Sequence, residues 1–261
     1  MLTAIFQTDI KFEDKEYNLA HGTELIKRAA EHGVSICFFP EMSFTGFSMN
    51  ISHTGESDDY TINRIKKAAV QNKISVGFGY TALKGGKAEN HYAVVNSRGK
   101  LISDYIKIHS FAIGGEKDDF ISGNELPNPF TIDKHNISTY ICYDLRFPEI
   151  FRASADLSSV MTVAANWPKS RREHWLALLK ARAIENQVYV IGINCCGRQG
   201  NICYSGDSMV INPFGDVIAA ASSDHEEMII ADIAADTEKI RSRFPVLQSR
   251  KQKLYRELLG E

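Results

Sequence analysis

Apolar positions along the chain alternate between strand-like and helix-like spacing. In the first half, apolar runs of strand length predict strands over 2–8, 34–39, 74–80, 90–96 and 101–105. Between them, apolar residues at helical spacing predict helices over 16–32 and 59–72. In the second half, the same patterns predict strands over 137–142, 159–165, 188–194, 207–212 and 227–232, and helices over 148–155, 172–186 and 236–242. This alternation is typical of a layered α/β fold.

The segments between these runs refine the prediction. Turn sequences at 84–87 and 97–100 predict hairpins, so the sheets are expected to be mixed rather than purely parallel. The stretch 109–130 is predicted to lack regular elements, and loops of that length are often functional; the pattern does not show whether it closes over a site. The charged, amphipathic stretch 246–259 is suited to covering a neighbouring surface. No linker or internal repeat is apparent, so we predict a single domain over 1–261.

Composition and charge restrict the class of protein. A net charge of -2 gives no basic excess, so nucleic acid is not an expected partner. No segment approaches the ~18 apolar residues of a membrane helix, and the first residues lack the pattern of a signal peptide. Five cysteines, an odd number, favour reduced thiols and a cytoplasmic location. The histidines and cysteines show no metal-ligand spacing, so no metal is expected.

Three reactive side chains each lie at or just past the end of an apolar, β-prone run: Glu41, Lys107 and Cys142. Taken singly, each has an ordinary structural explanation as a loop carboxylate, a solvated edge charge or a buried thiol. The carboxyl ends of core strands, however, are where α/β folds place their sites. Together the three supply a base, an oxyanion stabiliser and a nucleophile, which predicts acyl transfer on a thiol.

The residues around these three match motifs of a known family. They are Pro40-Glu41, Tyr-Ile-Lys-Ile-His at 105–109, and Cys-Tyr-Asp-Leu-Arg-Phe-Pro at 142–148. Supporting segments are Ala-Asn-Trp-Pro at 165–168, Ala-Arg-Ala-Ile-Glu-Asn at 181–186, and Ser-Met-Val-Ile-Asn-Pro-Phe-Gly at 208–215. On these motifs the chain resembles the nitrilase superfamily of carbon–nitrogen hydrolases over essentially its whole length.

The resemblance implies a fold, an assembly and a mechanism. The fold is a four-layer αββα sandwich with mixed sheets, assembled as a homodimer, and the reaction is hydrolysis of a non-peptide C–N bond without a metal or organic cofactor. Glu41 is expected to act as the base, and Cys142 as the nucleophile that forms a thioester. Lys107 and the backbone N–H of Tyr143 are expected to hold the oxyanion. Glu116 matches the family's second glutamate, in a loop of variable length, and is expected to orient Lys107 or the substrate.

The residues that follow the cysteine bear on the substrate. Nitrile-hydrolysing members usually carry Trp there, whereas this chain has Tyr143, as amidase-like members do. The motif strings are most similar to the ω-amidase branch, which acts on 2-oxo-dicarboxylic acid monoamides such as 2-oxoglutaramate. The carboxylate of such a substrate is expected to pair with an arginine. The candidates for lining or binding the substrate are Arg146, Asn166, Trp167, Arg171 and Arg172.

Other functions stay open at this point. A close alternative is an N-carbamoyl amine hydrolase or another aliphatic amidase, which does not require a free 2-oxo acid group. A non-catalytic binding protein on the same fold is a second, although it has no need for Glu41, Lys107 and Cys142 together. A thiol redox protein using Cys195 and Cys196 is a third, against which stands the rarity of disulfides between adjacent cysteines.

Overall fold

The computed structural model describes residues 1–259, in which fifteen strands and eight α-helices are numbered in chain order. The first sheet has seven strands: β1 (Leu2–Gln7), β2 (Ile36–Phe38), β3 (Ser75–Lys84), β4 (Lys87–Val95), β5 (Leu101–Ile106), β6 (Phe120–Ile121) and β15 (Glu227–Asp232). Their order is β15-β1-β2-β3-β4-β5, with β6 also paired to β4. The β1–β2–β3 ladders are parallel, and β3, β4 and β5 form antiparallel pairs across the predicted hairpins.

The second sheet has six strands: β7 (Phe130–Ile132), β8 (His135–Ile141), β9 (Val160–Ala165), β10 (Tyr189–Asn194), β13 (Met209–Ile211) and β14 (Val217–Ala220). Their order is β14-β13-β10-β9-β8-β7, in which β8, β9 and β10 run parallel. A separate two-stranded hairpin is formed by β11 (Cys196–Gln199) and β12 (Ile202–Ser205). Both sheets are therefore mixed.

Helices cover the outer faces of both sheets. The helices are α1 (Lys15–Glu31), α2 (Ile51–Thr54), α3 (Tyr60–Asn72), α4 (Glu116–Asp119), α5 (Pro148–Ser154), α6 (Arg172–Asn186), α7 (Thr237–Arg243) and α8 (Gln252–Leu259). The α1 helix begins where the Asp14 side chain accepts the backbone N–H of Tyr17 at 3.2 Å. Its Leu19 and Ile26 join Ile65 of α3 and Phe78 of β3 in one buried cluster. On the other side, α6 packs against β10.

The two sheets pack face to face through a second buried cluster. Ile5, Phe38 and Tyr92 come from the first sheet, and Tyr140 and Ile193 come from the second. The layers run helix, sheet, sheet, helix, which confirms the predicted αββα sandwich. No helix within residues 1–259 is long and apolar enough to cross a bilayer.

Several short elements differ from the sequence predictions. The stretch 109–130 holds a 3₁₀ turn at Ala112–Gly114, α4 and β6, so the prediction that it lacks regular elements is wrong. These elements form because the buried Glu116 side chain is bonded to residues outside its own helix. The β11–β12 hairpin, β14 and α2 were not predicted. The charged, amphipathic stretch 246–259 holds a 3₁₀ turn at Leu247–Ser249 and α8, where Leu254, Tyr255 and Leu258 are exposed.

Candidate active site

Cys142 lies where β8 ends and a 3₁₀ turn, Cys142–Arg146, begins. Its backbone has a φ of 42°, in the left-handed region that non-glycine residues seldom adopt. Asp144 stabilises this turn, because its Oδ2 accepts the Tyr105 hydroxyl at 2.8 Å and the backbone N–H of Ile141 at 3.2 Å. The sharp corner presents the thiol at the carboxyl end of the strand, as the sequence predicted.

Asp144 also joins this corner to the end of β5. Its Oδ1 lies 2.8 Å from Nδ1 of His109 and accepts the backbone N–H of His109 at 3.1 Å. The His109 ring stacks on Phe147, with centroids 3.7 Å apart. The nucleophile turn in the second sheet and the Lys107 segment in the first are thus fixed relative to each other.

Lys107 lies between two buried carboxylates. Its side chain is 2% exposed, and Nζ donates to Glu41 Oε1 at 2.8 Å and to the two oxygens of Glu116 at 2.8 and 3.0 Å. Nδ2 of Asn90 bridges the same carboxylates, at 2.8 Å from Glu41 Oε1 and 2.9 Å from Glu116 Oε1. The ammonium is therefore compensated by charge and held at a defined position.

Glu41 is held from the second sheet as well. Its Oε2 accepts the backbone N–H of Asn166 at 2.9 Å, and its backbone carbonyl accepts Nδ2 of Asn166 at 2.7 Å. Gly79 of β3 lies so close that an added Cβ would be 2.4 Å from the Met42 nitrogen, just after Glu41. This part of β3 therefore requires glycine for the backbone that carries Glu41 to reach its position.

The buried charges shift the pKa values of the thiol and the ammonium in the same direction. Burial raises the pKa of the Cys142 thiol well above its ordinary value; the carboxylate of Glu41 adds to this rise and the ammonium of Lys107 opposes it. Burial alone would lower the pKa of Lys107, but the carboxylates of Glu116 and Glu41 outweigh it, and the pKa is raised. The resting site thus holds a neutral thiol beside a charged lysine.

A cavity of about 150 Å³ opens above the thiol. It is lined by Phe47, Lys107, Phe111, Gly114, Cys142, Tyr143, Arg146, Asn166, Trp167, Pro168, Arg171, Ile202 and Tyr204. The Arg146 guanidinium lies 4.8 Å from the Trp167 ring, and that of Arg171 lies 5.1 Å from the Phe111 ring. A largely apolar cavity with a few polar groups suits a small molecule rather than a polymer.

Comparison with known proteins decides the family. The model of the family described as "Carbon-nitrogen hydrolase" matches residues 2–242. The chain belongs to the carbon–nitrogen hydrolase family. Curated relatives of this carbon–nitrogen hydrolase include a "Hydrolase in agr operon" of Staphylococcus aureus, 33% identical over 98% of this chain and 100% of the relative. A "2-oxoglutaramate amidase" of Bacillus subtilis is 30% identical over 95% and 97%, and "Omega-amidase YafV" of Escherichia coli K12 is 33% identical over 94% of each.

Solved structures of carbon–nitrogen hydrolases share the fold. XC1258 from Xanthomonas campestris, described as a superfamily protein with an arsenic adduct in its active site, superposes with a TM-score of 0.90 at 26% identity, covering 96% of this chain and 97% of the other. An amidase from Nesterenkonia sp. AN1 in complex with acrylamide has a TM-score of 0.90 at 22% identity, covering 99% and 97%, which shows the fold. The predicted superfamily, its ω-amidase-like branch and its amidase-type chemistry are confirmed.

The sequence-predicted site residues of this carbon–nitrogen hydrolase fall in one place, with one exception. Glu41, Lys107, Cys142 and Glu116 lie together at the base, and the cavity is lined by Tyr143, Arg146, Asn166, Trp167 and Arg171. Arg172 does not line it. Its guanidinium instead donates to both carboxylate oxygens of Asp207 at 2.9 Å.

Sequence reasoning did not single out several residues that shape the site. Asn90 and Asp144 hold the reactive groups, while Phe47, Ile202 and Tyr204 line the cavity. Asn90 carried a usable signal, because it begins the predicted strand 90–96, whose central residues 92–95 are apolar. Tyr204 carried none, because its hairpin was not predicted.

Proposed function

We propose that this carbon–nitrogen hydrolase is an ω-amidase that hydrolyses the terminal amide of 2-oxo-dicarboxylic acid monoamides such as 2-oxoglutaramate. The observation that carries the proposal is the pair of guanidinium groups lining the cavity, Arg146 and Arg171. Within residues 1–259 neither forms an ion pair with a carboxylate. Arg146 Nη2 lies 3.3 Å from Nδ1 of His174, and both guanidinium groups keep further donors for a substrate anion. The relatives named 2-oxoglutaramate amidase and omega-amidase support this substrate class.

In the proposed acylation step, the Glu41 carboxylate accepts the proton of the Cys142 thiol as sulfur attacks the amide carbon. The negative charge that develops on the amide oxygen is stabilised by the Lys107 ammonium and the backbone N–H of Tyr143. The C–N bond then breaks, and the nitrogen leaves as ammonia with the proton that Glu41 had accepted. The product of this step is a thioester on Cys142.

In the proposed deacylation step, Glu41 accepts a proton from a water molecule that attacks the thioester carbon. The same oxyanion groups stabilise the second intermediate, which collapses to a carboxylic acid and returns the proton to the sulfur of Cys142. Glu116 contributes by holding Lys107 in place through two hydrogen bonds. Asn166 positions Glu41, and Trp167 forms part of the wall against which the substrate packs.

The raised pKa of Cys142 supports coupling of proton transfer to attack. A free thiolate beside Glu41 and Glu116 is unfavourable, since burial and both carboxylates oppose it. The proton therefore moves to Glu41 only as the carbonyl carbon comes within reach of the sulfur. This arrangement protects the nucleophile in the resting enzyme.

The test is ammonia release from 2-oxoglutaramate, with glutamine, an N-carbamoyl amine and a simple nitrile in parallel, by wild type and Cys142→Ala. We expect release from the oxo amide by wild type only. Turnover of the carbamoyl compound alone would contradict the proposed substrate class but leave the role of Cys142 as nucleophile in place. Full activity of Cys142→Ala, or no turnover of any compound, would contradict the proposed mechanism.

We further propose that the enzyme is a cytoplasmic homodimer. The five thiols are all unpaired, which supports a reducing compartment. Exposed apolar side chains on this half of the chain, Ile184, Phe214, Val217 and Phe244, support contact with a second copy, since Phe214 is 67% and Phe244 70% exposed. Light scattering is expected to give a dimer that Phe214→Ser weakens and Leu83→Ser, on another exposed apolar side chain, does not. A monomeric wild type would contradict the dimer.

A further inference from the structure

Buried tyrosine hydroxyls in this protein are bonded to protein atoms, with one exception. Six tyrosines are more than nine-tenths buried. Five of their hydroxyls donate to protein oxygens: Tyr80 to Asp104, Tyr92 to Phe39, Tyr105 to Asp144, Tyr140 to Ile150 and Tyr189 to Asp236. The sixth, Tyr204, is 2% exposed, and its hydroxyl has no hydrogen-bond partner within residues 1–259.

Tyr204 lines the cavity that contains the thiol of Cys142. The Tyr204 hydroxyl is not among the fully buried polar atoms that lack a partner within residues 1–259, so its oxygen is accessible from the cavity. A molecule that binds there with an acceptor can take the hydrogen bond that no protein group takes. The one unpartnered hydroxyl among the buried tyrosines is thus also the one that borders the substrate cavity.

The hairpin that carries Tyr204 is fixed relative to the reactive groups. Gln199 of β11 donates from Nε2 to Oδ1 of Asn166 at 2.8 Å, and its Oε1 accepts the backbone N–H of Phe47 at 2.9 Å. Asn166 in turn holds Glu41. Because Gly197 of β11 pairs with Tyr204 of β12, the ring is positioned by the same network as the catalytic base.

The phenol is neutral and able to donate. Burial raises the pKa of Tyr204, and the negative charge of Glu41 acts in the same direction. The β12 strand also packs against the turn Lys169–Arg171. The Tyr204 side chain therefore belongs to the wall that joins the thiol end of the cavity to Arg171.

We propose that Tyr204 is a substrate-binding residue whose hydroxyl donates a hydrogen bond to the oxo oxygen of a 2-oxo acid amide. This inference rests on the proposed function and identifies the side chain that recognises the 2-oxo group of the substrate. In such a substrate the oxo carbon lies between the amide carbon, placed at Cys142, and the carboxylate, placed at the arginines. A donor on the connecting wall matches that order of groups.

The experiment compares Tyr204→Phe with wild type on two substrates: 2-oxoglutaramate and the monoamide of glutaric acid, which has the same chain and carboxylate but no oxo group. Losing one neutral hydrogen bond is expected to lower kcat/KM for 2-oxoglutaramate about tenfold, mainly through KM. The value for the glutaric monoamide is expected to stay unchanged. Tyr189→Phe is the matched control, because it removes a partnered hydroxyl away from the cavity and leaves both kinetic values unchanged.

Thermal unfolding without substrate supplies an independent measurement. Tyr204→Phe is expected to keep the melting temperature of wild type, since no protein hydrogen bond is lost, whereas Tyr189→Phe lowers it. Equal losses of kcat/KM on both substrates, or no loss on either, would overturn the inference and leave the proposed function standing. Failure of wild type to hydrolyse 2-oxoglutaramate would overturn the two together.

Discussion

Asn166 contacts Glu41 at two points, through a backbone N–H 2.9 Å from the carboxylate and a side-chain N–H 2.7 Å from the backbone carbonyl. Asn166 follows β9 of the second sheet, whereas Glu41 follows β2 of the first. The proposed base is therefore positioned by a contact between the two sheets. Any change that lets the sheets shift will also move the carboxylate away from the thiol.

Replacing Asn166 by Ala is expected to lower kcat more than it affects KM. The variant keeps the backbone N–H on Glu41 but loses the side-chain contact and the bond to Gln199. We expect a fall in kcat of at least about tenfold and a loss of roughly 1–3 kcal/mol in the free energy of unfolding. Steady-state kinetics and urea unfolding measure both. Asn136→Ala, on the exposed part of β8, is the control, and unchanged kcat in Asn166→Ala would contradict the positioning role.

Lys107→Met is expected to destabilise the fold strongly. It leaves Glu41 and Glu116 buried with no compensating charge, for which a cost of about 3–5 kcal/mol is typical. Adding Glu116→Gln removes one of the two carboxylates and should restore part of that loss without restoring activity. Urea unfolding of wild type, both single variants and the double variant measures the coupling. A double variant less stable than Lys107→Met would show that the carboxylates do not repel each other there.

Arg171→Gln is expected to weaken binding of anionic amides selectively. Losing a charged hydrogen bond to the substrate carboxylate should raise KM for 2-oxoglutaramate by about tenfold or more, with little change for a neutral aliphatic amide. Arg172→Gln is the control, because that guanidinium already binds Asp207 outside the cavity. Equal effects of the two substitutions on KM would rule out a specific role for Arg171.

A buried histidine outside the site should make stability depend on pH. His91 on β4 lies 2.9 Å from Asp104 and 3.3 Å from Glu89, beside the Tyr80 hydroxyl, while Lys84 pairs with Glu89. Burial would lower its pKa, but the two carboxylates outweigh burial, and the pKa of His91 is raised. Its charged form then adds stability that is complete below its unfolded pKa of about 6.5 and is lost as pH rises through the folded pKa.

Urea unfolding across pH measures this contribution. The stability difference between wild type and His91→Asn is expected to be larger at about pH 6 than at about pH 9. His225→Asn, at an exposed histidine outside this cluster, is the control substitution. A difference that grows with pH would mean that the neutral form of His91 is the stabilising one.

Much of the fold followed from the chain's hydrophobic pattern. The α6 helix spans the predicted 172–186, and β15 spans the predicted 227–232, because each has regular spacing over a long run. The reactive residues were also predictable, since Glu41, Lys107 and Cys142 each lie one to three residues past the end of a strand. The four-layer arrangement came from family resemblance, because local patterns do not specify how two sheets stack.

What the pattern missed depends on contacts between distant residues. The β11–β12 hairpin lacks strand alternation, and it is held by Gln199 through partners at 47 and 166. The position of α4 is fixed by the hydrogen bond that Glu116 accepts from Lys107, although the composition of this stretch predicts a loop. No local sequence pattern therefore predicted that Tyr204 would line the cavity. That its hydroxyl lacks a hydrogen-bond partner becomes apparent only by comparison with the other buried tyrosines, whose hydroxyls all donate to protein oxygens.

The cavity has opposite charge at its two ends. Two carboxylates and one ammonium leave its base negative, whereas two guanidinium groups make its mouth positive. An amide with a carboxylate at its far end can thus enter in one orientation only, with the neutral end first. Hydrolysis then creates a second carboxylate directly against Glu41. The product is repelled from the place where it is made, so the same charges that orient the substrate also drive its departure and oppose the reverse reaction.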